Sequence, residues 1–142
     1  MANPRNVVDF TDIGAKRETY KIDNSTILYD ATKANGSAQV GLAVELSTDD
    51  TVALTQDANR VLGKLLKVEA DNKATVQTRG YTKFPSGAGA TLTIGGAIVG
   101  DLDGANRGYV RLAAAATLAE VANQRGIIIN NDDTANVVVL LD

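Results

Sequence analysis

The chain contains no histidine, no cysteine and no tryptophan in 142 residues. Histidine is the usual general acid-base group near neutral pH, and cysteine with histidine makes the soft metal sites, so both chemistries lose their commonest tools. Without cysteine a small disulfide-stapled secreted scaffold is excluded. Aromatic side chains are scarce, two phenylalanines and four tyrosines. The core must therefore be aliphatic, and oligomerisation would add burial that a monomer lacks. No apolar run approaches the roughly 20 residues of a membrane-spanning helix, so no membrane partner is expected. Met-Ala-Asn-Pro-Arg is followed by no apolar segment, and a soluble protein made in a cytoplasm is expected.

What is abundant is glycine, alanine, valine, leucine and threonine, with a formal net charge of −3. That balance argues against a nucleic-acid partner bound by bulk charge. The charge is unevenly placed: residues 60–83 carry six basic against two acidic side chains, a local +4, and residues 36–59 carry four acids and no base, a local −4. Such segments are either two solvated faces or the unlike patches of a head-to-tail oligomer.

Residues 1–17 fit neither the helical nor the strand period. Pro4, Val7, Val8, Phe10 and Ile13 are spread among Asn, Asp and Thr. The segment is expected to be an extended N-terminal arm whose apolar side chains bind a partner. Residues 18–142 are expected to form a single β-rich domain. Tyr20 and Ile22 alternate with polar neighbours, residues 26–29 suggest a short strand, and residues 40–46 alternate in strict period two. Residues 60–69 and 74–84 make a hairpin candidate, with Gly80 as a bulge. Residues 101–106 form a turn, and the β-branched runs at 127–129 and 137–141 predict buried, paired strands. The single helical signal lies at 117–125, where Thr117 and Glu120 match a capping box, Leu118, Val121 and Ala122 share a face, and Gly126 is a stop.

No diagnostic site emerges. The Asp101–Asp103 pair lacks the glutamate that a calcium loop needs at its twelfth position, and Asp132 and Asp133 suit a turn. The glycines match neither a dinucleotide fingerprint nor a phosphate-binding loop, and no serine elbow occurs. Tyr81 and Phe84 beside Arg79 and Lys83 are a weak stacking signal for single-stranded nucleic acid. No catalytic residue, cofactor or metal is expected.

The stretches TLTIGGAIVG at 91–100, GYVRLA at 108–113, RGIIINNDDT at 125–134 and VVVLL at 137–141 resemble those of bacteriophage capsid decoration (cement) proteins. The resemblance covers roughly residues 85–141. It implies a mainly β protein, a compact β-barrel or β-tulip-like domain with one short helix. It further implies a non-enzymatic virion protein, a homo-oligomer with a trimer favoured, seated on the capsid exterior with the major capsid protein as partner. Another virion component, such as a tail or head-fibre protein, or a small carbohydrate-binding module are the alternatives. The latter is disfavoured by the missing tryptophan.

Overall fold

The computed structural model describes residues 14–87, 91–114, 117–133 and 135–142. The protein is mainly β, as the sequence implies. Nine strands are present among the described residues: β1 (Lys16–Ile22), β2 (Ala43–Thr48), β3 (Thr51–Leu54), β4 (Gly63–Val68), β5 (Lys73–Pro85), β6 (Ile98–Asp103), β7 (Asn106–Leu112), β8 (Ile127–Asn130) and β9 (Asn136–Leu141). One α-helix, α1 (Leu118–Asn123), and a single 3-10 turn at Ala34–Gly36 complete the elements.

Strands β1, β3, β2, β4 and β5 follow one another in hydrogen-bonded order, and β1 pairs back onto β5, so the five close into a barrel. Only β1 with β3 is parallel. Ile22, Val44, Val52, Leu54, Leu65, Val68, Ala74 and Val76 fill the interior, with Ile27 added from the β1–β2 connection. A barrel of this width is packed solid by its own aliphatic side chains.

Strand β5 outruns the barrel. Residues 73–79 pair with β1, and residues 80–85 pair with β9, which pairs with β8. The changeover falls at Gly80, whose φ of +92° disfavours any side chain. Two isolated bridges then complete a second ring: Ile98 with Arg125 joins β6 to the approach to β8, and Ser86 with Val110 joins the end of β5 to β7. Phe84, Ile98, Val110, Ile128, Val137, Val139 and Leu141 fill this ring, together with Ala43 and Val61. The two rings thus share β5.

Several expectations need correction. Residues 26–29 are not a strand, because the Asp23 carboxylate takes the backbone N–H groups of Ser25, Thr26 and Ile27. The alternating run at 40–46 is half turn, with Gly41 N–H donating to Leu65 O, and β2 begins only at Ala43. There Ala43 faces the second core and Val44 the first. Leu46, the last residue of the alternating run, is 56% exposed. Helix α1 stops at Asn123 rather than 125, because Arg125 exchanges both backbone hydrogen bonds with Ile98 at 2.9 Å. Lys16 and Arg17, assigned to the arm on sequence, already lie in β1. The paired runs at 127–129 and 137–141 are buried on alternate residues only, with Ile127 exposed.

Candidate functional site

The β6–β7 hairpin docks onto the connection between β3 and β4. Ala58 N–H donates to Gly100 O, Gly100 N–H to Asn59 O, and Gly108 N–H to Thr55 O. Beneath this contact sits Glu45, buried and fully engaged. Its carboxylate accepts from Gln56 N–H and Asn59 Nδ2, both at 3.0 Å, and lies 3.4 Å from Arg107. A buried carboxylate is tolerated only when it is paired and hydrogen-bonded in this way. Arg107 also donates to Leu54 O.

A second polar cluster fixes the helix. Arg111 on β7 reaches Asp57 at 3.0 Å, Asp101 at 3.9 Å and the Glu120 carboxylate. Thr117 caps α1 as the sequence predicts, its hydroxyl accepting from Glu120 N–H. Glu120 does not complete the capping box. Its side chain turns inward, bonds Arg111, and accepts from Ala114 N–H at 2.7 Å. Those two contacts hold its carboxyl below the usual carboxylate range. The helix is therefore oriented by its acid rather than by its apolar residues. Leu118 is 86% exposed and Val121 41% exposed, the reverse of the face that their spacing suggests.

Between the mouth of the barrel and the second ring lies an open cleft of about 630 Å³. Its floor is Arg125. This guanidinium donates to the carbonyls of Val61 and Leu62 before β4, to Thr78 O on β5 and to Asp142 O after β9. One side chain thus ties both rings together across the mouth. Burial, and then the neighbouring Arg60, hold its pKa below the ordinary arginine value. The walls carry Lys16 and Glu18, which pair at 2.9 Å, and Arg79 and Arg60, which stand exposed at the rim. Tyr20 donates its hydroxyl to Glu18, and this bond pushes the phenol up to about 12. Leu46 and Asn123 close the far side. No sequence motif marks this cleft, because its residues come from six separate segments.

Pro4, Val7, Val8, Phe10 and Ile13 lie outside the described residues. The acids at 101–103 belong to the β6–β7 hairpin, and no group of three or more potential metal ligands is assembled among the described residues. Asp133 caps its own turn, accepting from Ala135 N–H. Phe84 is wholly buried in the second core, so it offers no base-stacking platform with Tyr81. The opposed charge segments are partly spent internally. Glu45 and Asp57 pair with Arg107 and Arg111, while Lys67 and Lys73 pair with Glu69 and Asp71.

No protein-family model, curated protein or solved structure matches the chain.

Proposed function

We propose that the protein is a non-enzymatic structural component of a virion, which binds the outer surface of a bacteriophage capsid and stabilises the shell. The observation that carries this reading is the inverted helix. Leu118 and Val121 are held out to solvent because Glu120 is anchored inward by Arg111 and Ala114. Exposed apolar side chains on a rigidly anchored element suit contact with another protein. The four stretches that resemble decoration proteins also fall on adjacent parts of one body, feeding β6, β7, β8 and β9.

The physical role is mass action. A ligand that binds only the assembled lattice stabilises that lattice in proportion to its occupancy. On this reading the partner is the major capsid protein, the protein acts as a homo-oligomer with a trimer favoured, and it is made in the host cytoplasm before joining the capsid exterior. The arm adds backbone contact along a neighbour's edge, with Pro4, Val7, Val8, Phe10 and Ile13 setting register. The test is co-sedimentation with empty capsids, using full-length protein and protein lacking residues 1–13, a cut that spares β1. Truncation should weaken binding and leave the thermal melt nearly unchanged. Phe10→Ala should cost about 1–2 kcal/mol of binding if the ring fills a pocket. Full-length protein that stays in the supernatant at every capsid concentration rules the reading out.

A further inference from the structure

The cleft at the barrel mouth has a charge balance that its own residues leave open. Lys16 is neutralised by Glu18, and Glu45 by Arg107. Arg60, Arg79 and Arg125 remain, and among the described residues none has a side-chain carboxylate within 4.0 Å. Among the described residues, Asp142 is the one acid of the cleft left to face them. Arg125 is spent on backbone carbonyls, but Arg60 makes only a 3.3 Å bond to Gln124 O, and Arg79 is exposed. Two guanidinium forks therefore flank a cavity whose floor is a third.

The protein's own acidic turn cannot fill this space. Asp49 and Asp50 are exposed at the β2–β3 turn, where Asp50 O accepts from Lys21 N–H. Lys21 lies one residue from the end of β1, far from Lys16 at its start, and five residues of strand separate the two sites by about 17 Å.

We infer that the cleft receives an acidic peptide segment of a partner protein, with its carboxylates on Arg60 and Arg79 and an apolar side chain against Leu46. Arginine suits this role because its planar fork takes a carboxylate through two parallel hydrogen bonds. Leu46 supplies an exposed apolar wall. The Nδ2 groups of Asn59 and Asn123 are taken by Glu45 and Ala58 O, which leaves their amide oxygens to accept from the segment's backbone N–H groups. A nucleic-acid strand fits less well. Glu18 and Asp142 interrupt any continuous phosphate track, and among the described residues no aromatic side chain lines the cleft for stacking. This site is separate from the arm and goes beyond the capsid reading.

The test is fluorescence anisotropy with a labelled peptide of glutamate and leucine, beside its glutamine and leucine counterpart, at low and high salt. Arg60→Gln with Arg79→Gln is the test variant, and Lys67→Gln, which removes a positive charge outside the cleft, is the control. A thermal melt confirms that each variant is folded. The expected result is capture of the glutamate peptide, weakened by salt and by at least about tenfold in the double variant, with Lys67→Gln unchanged. Equal capture of both peptides, no capture of either, or equal loss in Lys67→Gln would overturn the proposal. So would tighter binding of a short single-stranded oligonucleotide, or salt-sensitive self-association abolished by Asp49→Asn with Asp50→Asn, which would make a second copy the occupant.

Discussion

The two rings share a strand yet are closed in different ways. In the barrel every seam is a ladder, with at least two pairs of residues in register even at its shortest, β1 with β3 and β2 with β4. In the second ring, two of the five seams are isolated bridges, of which the Ile98–Arg125 one is extended by Gly95 N–H donating to Ile128 O and Ile128 N–H to Gly96 O. The weaker of these, between Ser86 and Val110, is carried by Gly87 N–H donating to Val110 O at 3.0 Å. Both interiors are apolar and buried, aliphatic but for Phe84 in the second ring, so the difference lies in closure rather than in burial. Closure of this kind concentrates local opening at the weakest seam, since sub-global openings follow the boundaries with fewest hydrogen bonds. The barrel then acts as scaffold. The second ring, which carries the exposed helix, is held to it by β5, by the docked β6–β7 hairpin and by Arg125.

Core truncation should break the comparison most severely. Phe84→Ala empties the centre of the second ring and is expected to cost about 3–5 kcal/mol, against about 2–5 kcal/mol for Leu65→Ala in the barrel. Urea melts give both totals. If the rings differ in closure, Phe84→Ala should expose β6 and β7 to exchange while β4 stays protected.

Cutting the tie comes next. Arg125→Met keeps the apolar stem and removes the donors from four backbone carbonyls. Hydrogen bonds to a charged group contribute about 1.5–3 kcal/mol, and the loss should fall in that range because the freed carbonyls border an open cleft. Denaturant titration checks it. A loss confined to a few tenths would mean that β5 and the docked hairpin alone join the rings.

Acid should sharpen the contrast further. Glu120 titrates below its ordinary value because of Arg111 and the Ala114 N–H. Its contribution is complete above the ordinary carboxylate pKa and is lost as the pH falls through the lowered one. Glu120→Gln should flatten that part of the stability-pH profile. Asp23 in the barrel is also held low, the hydrogen bonds from Thr26, Ile27 and Ser25 outweighing its burial, so a residual acid dependence should remain. The smallest effect belongs to Leu118→Ser, expected to shift stability by no more than about 0.5 kcal/mol because the side chain is almost wholly exposed. A larger loss would place Leu118 in the fold rather than at a contact surface.

Local grammar made much of the fold legible. The hairpin signals at residues 70–73 and 101–106, the paired runs that became β8 and β9, and the Thr117 cap are all properties of a few neighbouring residues. What escaped was set by partners distant in sequence. Residues 40–46 alternate cleanly, but Ala43 and Val44 serve opposite cores, a distinction that exists only once both rings do. The spacing of Leu118 and Val121 pointed inward. Arg111, nine residues before Glu120, reversed it, because satisfying a buried charge outweighs burying two partly exposed apolar side chains. The cleft gave no signal, since Arg60, Arg79 and Arg125 are far apart in the chain and each looks like a solvated surface charge.

Native-state hydrogen exchange on the wild type and on Arg125→Met tests the difference between the rings most directly. The expected result is that amides of β4 and of β5 up to residue 79 exchange only through global unfolding. Those of β6 and β7, beginning beside the Ser86–Val110 seam, should exchange through a cheaper opening that becomes cheaper still in Arg125→Met. A single opening free energy shared by all of these strands, lowered equally by the substitution, would contradict it.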